Sequence, residues 1–124
     1  MSGLKTGILV VLLVSGGPVV AKTLPQVFAG CTGRYSAELE HAWLMRDAAA
    51  EVLELRRARF EDLLAAVTSK KLRRSLLDQR IRAKSAHAQI LRVAQFSHDP
   101  DRARWARRRA EVELGYCESF LLDS

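Results

Sequence analysis

The sequence predicts an all-α fold: a small up-down-up-down four-helix bundle with a short first helix, closed by one disulfide. Glycine and proline nearly vanish after Gly33, because only Pro100 and Gly115 occur in the 91 residues that follow. Alanine, leucine, arginine and glutamate dominate this part of the chain, and such a composition favours helix. It contains no alternating run of β-branched residues, so nothing in it predicts a strand.

An export signal is predicted over residues 1–21, which would place the mature protein in the periplasm. Lys5 precedes an apolar run without acidic residues, and Val19-Val20-Ala21 offers small or modest side chains to signal peptidase. The run is about 14 residues long, whereas a spanning helix needs roughly 20. Two alternatives stay open: the segment is retained as a membrane anchor, or Cys31 is lipidated, because Phe28-Ala29-Gly30-Cys31 resembles a lipobox.

The mature chain is predicted to be an N-terminal loop over residues 22–33 followed by one helical domain over residues 34–124. A domain of this size is able to enclose a single hydrophobic core. The whole chain carries a net charge of +6. It is therefore basic, but not extremely so.

The first helix is expected from about residue 34 to residue 45. Tyr35, Leu39 and Trp43 recur every four residues, which is the spacing that stacks side chains along one helical face. This stripe assigns all three side chains to the core, Trp43 included.

A second helix is expected over about residues 48–67, with Asp47 as its N-cap. The junction after Met45 contains neither glycine nor proline, so a continuous or kinked helix remains the alternative. The apolar face of the second helix consists of Leu53, Phe60, Leu64 and Val67.

A turn at Thr68-Ser69 is expected to separate the second helix from a third, which ends near Phe96. The fourth helix has the clearest start, because Asp99 suits the N-cap position and Pro100 fits the first turn. The broad apolar face of the third helix is expected to contain Leu72, Leu76, Ala83, Ile90 and Ala94, with Leu77, Ile81, Ala88 and Leu91 beside them. The inward face of the fourth is Ala103, Ala106, Ala110, Leu114, Cys117 and Leu121.

The two cysteines, Cys31 and Cys117, are predicted to form one disulfide. An isolated pair in a small exported chain is typically oxidised, whereas in the cytosol both would be thiols. In an up-down-up-down bundle the last helix ends where the first begins, so the topology brings the pair together. Closing a loop of this length stabilises a fold by about 4 to 5 kcal/mol in the chain-entropy model.

No catalytic, metal-binding or cofactor site is predicted. Glu38 and His41 have the Glu-x-x-His spacing of di-iron carboxylate bundles, but no second such pair accompanies them. His87 is expected to be a satisfied interior or boundary residue, and His98 a loop residue. The chain lacks Cys-x-x-Cys, Gly-x-Ser-x-Gly and glycine-rich phosphate motifs.

Arginines are concentrated near the start of the fourth helix, around Trp105. Export would exclude a nucleic-acid partner, leaving an anionic envelope component or an unknown protein, with only peripheral membrane contact unless the chain is anchored or lipidated. The simplest alternative is a solvated face, because several basic residues of the chain, Arg107 and Arg109 among them, have an opposite charge four residues away. The candidate contacts with an anionic surface are Arg102, Arg104, Arg107, Arg108 and Arg109.

Three stretches of the chain resemble short exported helical proteins from alphaproteobacteria of the Rhodobacter type. They are Cys31-Thr-Gly-Arg-Tyr-Ser-Ala-Glu-Leu-Glu-His-Ala-Trp-Leu-Met, Arg82-Ala-Lys-Ser-Ala-His-Ala, and Ala106-Arg-Arg-Arg-Ala-Glu before Cys117. That group has no assigned activity. The resemblance implies export and a cysteine pair, and it adds no site.

The sequence thus predicts an exported helical protein that acts by binding, as an accessory or interaction protein of the cell envelope. A small periplasmic inhibitor or ligand-binding protein is the second interpretation. A metal-binding bundle built on Glu38 and His41 is the third.

Overall fold

The computed structural model describes Gly3 and residues 21–121, and over this part the chain is an all-α four-helix bundle. The four helices are α1 (Leu24–Leu44), α2 (Ala50–Val67), α3 (Arg73–Phe96) and α4 (Pro100–Glu118). The predicted fold class is therefore confirmed. The predicted export segment, residues 1–21, lies outside the described residues apart from Gly3 and Ala21.

The first helix begins ten residues earlier than the sequence indicated, so the predicted loop over residues 22–33 is wrong. Thr23 occupies the N-cap position of α1, and its backbone N–H donates to Gln26 Oε1 at 3.0 Å. Pro25 lies in the first turn, where its missing N–H costs nothing. At 21 residues α1 is longer than α2 or α4, not short.

A real break separates α1 from α2, as predicted. Arg46 adopts a φ of 52°, a left-handed conformation that a continuous helix cannot contain. The Asp47 side chain then accepts a hydrogen bond from the Ala49 N–H at 2.9 Å, forming a turn ahead of α2. Ala49 occupies the N-cap position of α2, so the prediction of Asp47 as N-cap is wrong. The second helix consequently begins at Ala50, two residues later than expected.

The start of α4 follows the sequence signals closely. The carboxylate of Asp99 accepts hydrogen bonds from the N–H groups of Asp101 and Arg102, at 3.0 and 3.4 Å. Pro100 occupies the first turn of the helix. These local interactions satisfy donors that have no partner within the helix.

The helices alternate in direction, and α1 lies at the centre of the bundle, packing against α2, α3 and α4. The closest approach joins α1 to α3, which run parallel across a diagonal of the bundle. A Cβ added at Gly33 would meet the Arg80 carbonyl oxygen at 2.3 Å and the Lys84 nitrogen at 2.9 Å. The backbones of α1 and α3 thus lie in close contact, which the lack of a side chain at Gly33 allows.

The main core surrounds the middle of α1. Phe60 of α2 is fully buried between Phe28 and Tyr35, with ring centroids 6.1 and 5.5 Å away. Beside this cluster Cys31 and Cys117 form the predicted disulfide, with their Cα atoms 5.6 Å apart. The end of α4 is therefore covalently joined to α1.

Helix α2 packs closely only against α1, and side chains alone connect it to α3 and α4. Glu61 pairs with Arg80 of α3 at 2.9 Å, and Arg56 pairs with Glu118 of α4 at 2.7 Å. A groove of about 490 Å³ therefore remains between α2 and α3, lined in part by Leu77.

Four side chains assigned to apolar faces are exposed: Trp43, Leu72, Leu77 and Ile81. Trp43 is 52% exposed because it lies at the end of α1, where no neighbouring helix covers it. Its assignment to the core is wrong. Leu77 and Ile81 of α3 are 55% and 54% exposed, because α2 does not pack against that side of α3.

Candidate functional site

Helix α4 has two chemically different faces, and the buried one is made of small residues. Ala106, Ala110 and Cys117 are buried against the rest of the bundle. Small side chains let a helix lie close to its neighbours, which here are α1 and α3. The longer side chains of α4 are directed to the flanks or to the outside, except Leu114, which packs against the main core.

The outer face carries a regular stripe of cationic and bulky apolar residues, which we call the α4 stripe. Its members are Arg102, Trp105, Arg109, Val112 and Tyr116. Spacings of three and four residues place them on one side of the helix. Trp105, Val112 and Tyr116 are 63%, 62% and 51% exposed, so at least half of each side chain lies outside the bundle.

All five predicted arginines are exposed, but their partners differ. Arg104 pairs with Asp101, and Arg109 pairs with Glu113 at 2.7 Å. The side chain of Arg107 donates to the Ala94 carbonyl oxygen at 3.3 Å. Within residues 21–121, Arg102 and Arg108 make no ion pair.

Charge on α4 is distributed unevenly along its length. Its first eleven residues contain five arginines and a single acidic residue, while the remaining turns contain three glutamates and no lysine or arginine. Glu113 is already shared between Arg109 and Arg34 of α1, the latter at 3.2 Å. The start of α4 is thus the most cationic part of the helix.

A second polar feature is a cleft of about 290 Å³ between α1, α3 and α4. Glu38, His41, Arg107 and Glu111 are among the residues that line it. Glu38 also contacts His87 Nε2 at 2.8 Å, and His87 is only 2% exposed. This satisfies the buried imidazole, as predicted for an interior histidine.

Glu38 and His41, the Glu-x-x-His pair of the sequence, both line this cleft. Within the part of the chain that the structure describes, no three or more histidine, cysteine, aspartate or glutamate side chains converge as metal ligands. Glu38 binds His87 across α1 and α3, and His41 is half-buried at the cleft.

One titratable side chain lies on the stripe of α1 that the sequence assigned to the core. Tyr35 is fully buried, and its hydroxyl makes no hydrogen bond within the described residues. Burial raises the pKa of Tyr35 to about 12; Glu118 adds to the rise and Arg56 opposes it. The group is therefore a neutral phenol at any physiological pH.

The sequence identified the arginines of α4 but not the apolar half of the α4 stripe. The signal was present, because Trp105, Val112 and Tyr116 lie opposite the alanine face. Among residues 21–121, no helix is long and apolar enough to cross a membrane. No protein-family model, curated protein or solved structure matches this chain.

Proposed function

We propose that this protein acts by binding, as a non-catalytic accessory or interaction protein of the cell envelope. The supporting observation is the amount of bulky apolar surface that the bundle leaves outside, since such surface marks interaction sites when it is contiguous. The bulky apolar side chains among the described residues that are more than half exposed are Trp43, Leu44, Leu55, Leu77, Ile81, Phe96, Trp105, Val112 and Tyr116.

The disulfide supports export as part of this proposal. Cys31 and Cys117 are both fully buried and joined to each other. Such bonds form and persist in oxidising compartments such as the periplasm. A disulfide at Cys31 also excludes lipid attachment to the same sulfur, so we infer that the mature chain arises by cleavage after Ala21.

The buried polar groups support a structural scaffold more than a catalytic centre. Tyr35 is neutral and enclosed, and His87 is held by Glu38 inside the bundle. Catalytic acids and bases need access to substrate and a pKa near the working pH. We therefore place the function on the outer surface of the helices.

The cleft between α1, α3 and α4 supports the second candidate, a small periplasmic inhibitor or ligand-binding protein. Its cationic Arg107 and its acidic groups Glu38 and Glu111 would suit a small zwitterionic ligand. At about 290 Å³ it is at the lower limit of ligand pockets, which measure roughly 300 to 1,000 Å³. The outer surface is the larger feature, so binding through helix faces is preferred.

Photo-cross-linking in the native host tests this proposal. A photoreactive phenylalanine replaces Leu55, which is 67% exposed on α2, or Trp105 on α4. The matched control replaces Ser85, an exposed polar residue of α3. We expect discrete adducts with envelope components at the two apolar positions and none at Ser85.

Equal adduct yields at all three positions, or no adducts at any, would contradict binding through these surfaces. Recovery of the protein only from the cytoplasm would contradict the envelope location. A lytic enzyme inhibited by the purified protein would instead support the second candidate.

A further inference from the structure

We propose that the α4 stripe is a peripheral membrane contact that binds the headgroups of anionic phospholipids. This inference rests on the proposed envelope function and identifies the partner of one of its surfaces. The stripe lies along a single convex helix and extends over about 21 Å at 1.5 Å per residue. A linear, convex surface of this kind suits a flat partner.

The chemistry of the stripe matches the interface of a bilayer. Tryptophan and tyrosine prefer the headgroup level, because their rings are apolar at one end and form hydrogen bonds at the other. Arginine extends its apolar stem along the surface while its guanidinium binds phosphate. Trp105 and Tyr116, interleaved with Arg102 and Arg109, thus provide both kinds of contact on the same side of α4.

Charge complementarity selects an anionic partner and disfavours a second copy of this chain. In a parallel pair of α4 stripes Arg102 and Arg109 would face the same residues of the copy, and in an antiparallel pair Arg109, at the middle of the stripe, would still face its counterpart, so like charges would repel. Arg102 and Arg108 have no ion pair among the described residues, so both remain available to phosphate.

The neighbouring end of the bundle adds apolar surface beside the cationic start of α4. Trp43, Leu44 and Phe96 are 52%, 69% and 56% exposed, and all three lie where α1 or α3 ends. Because α4 begins at this same end, its most cationic turns adjoin these side chains. This arrangement favours a lipid surface over a folded acidic protein, because these apolar groups need an apolar environment to enter.

Vesicle binding by the purified, disulfide-bonded mature chain tests the inference. The chain has two tryptophans, so Trp43→Phe leaves Trp105 as the single fluorescent reporter. We expect its emission to shift to the blue with vesicles of three parts phosphatidylcholine to one part phosphatidylglycerol. Phosphatidylcholine alone should produce no shift, and added salt should weaken the binding.

Two double variants with equal charge loss separate a specific surface from general attraction. R102Q/R108Q removes two exposed, unpaired arginines from α4, and R73Q/R74Q removes two exposed arginines at the opposite end of the bundle. Each surface arginine contributes about 1 kcal/mol, so the first variant should weaken vesicle binding about 30-fold. The second should leave it nearly unchanged. Far-UV circular dichroism confirms that both are folded.

Equal weakening by the two variants would overturn the inference, as would an unshifted Trp105 emission. Binding to an acidic polypeptide such as polyglutamate, without binding to the anionic vesicles, would replace the lipid by a protein partner. If vesicle binding fails while cross-links at Leu55 persist, this inference is wrong and the proposed envelope function stands.

Discussion

The substitution Gly33→Ala tests whether α1 and α3 approach as closely as the fold requires. The new Cβ would lie 2.3 Å from the Arg80 carbonyl oxygen, 2.9 Å from the Lys84 nitrogen and 3.1 Å from the Ala83 Cβ. The first distance is more than 1 Å below the optimal separation of about 3.5 Å. Since two of these atoms belong to the backbone, the helices themselves must move apart.

Overpacking of this kind costs about 1 to 3 kcal/mol, and occasionally more. Replacing glycine by alanine inside a helix returns about 1 kcal/mol of helix propensity. For Gly33 the two effects oppose each other, and with two backbone clashes we take the upper cost. We therefore expect Gly33→Ala to lower the free energy of unfolding by about 2 kcal/mol.

Gly115→Ala is the matched control, because a Cβ at Gly115 would meet nothing within 4 Å. Only the propensity gain applies, so this variant should be more stable than the parent by up to about 1 kcal/mol. Urea unfolding followed by circular dichroism measures both variants. If Gly33→Ala proves as stable as Gly115→Ala, the close α1 to α3 contact is refuted.

Three further predictions concern groups buried along α1. Replacing Cys31 and Cys117 by serine should lower the free energy of unfolding by about 4 to 5 kcal/mol. Thermal melting of the parent with and without reductant checks this, and equal melting temperatures of the oxidised and reduced chains would contradict it. Raising the pH from about 10 to 12 should destabilise the parent by about 1.4 kcal/mol per unit relative to Tyr35→Phe, since the unfolded chain loses the phenol proton first. Parallel stability curves for these two proteins would refute it. Glu38→Ala should lower the free energy of unfolding by about 1 to 3 kcal/mol, because it leaves His87 unsatisfied, whereas Glu38→Gln should lower it clearly less. Equal losses of the two variants in denaturant unfolding would show that Glu38 and His87 do not form a structural hydrogen bond.

Local signals predicted the second half of the fold well. At the start of α4, Asp99 and Pro100 act through hydrogen bonds and dihedral angles within a few residues, so the sequence contains the whole cause. The pairing of Cys31 with Cys117 followed from topology, because alternating helices return the last end to the first beginning. Both arguments needed no knowledge of packing.

The start of α1 was mispredicted because Gly33 serves packing between helices. Gly33 breaks helices in isolation, yet here it is buried against α3 and lets the two backbones meet. The pattern Thr23-x-x-Gln26 with Pro25 between them was the available signal for a helix start. Tertiary contact outweighs the low helix propensity, and a sequence pattern alone does not contain that contact.

The candidate surface was half predictable for a similar reason. Dense arginines are visible in the sequence, but the exposure of Trp105 and Val112 depends on which side of α4 faces α1. The alanines of α4 determine which side faces α1, because their small side chains permit the closest approach of the two helices. Trp43 shows the converse: its spacing matches a buried stripe, but the neighbouring helices do not extend over it.

The central claim is that the protein is an exported helical bundle closed by one disulfide. The most direct test is the intact mass of the protein isolated from the envelope of its host, measured before and after reduction. A chain exported, cleaved after Ala21 and closed by its disulfide should start at Lys22 and gain two hydrogens on reduction. A lipid at Cys31, a chain that still contains residues 1–21, or a mass that reduction leaves unchanged would contradict it.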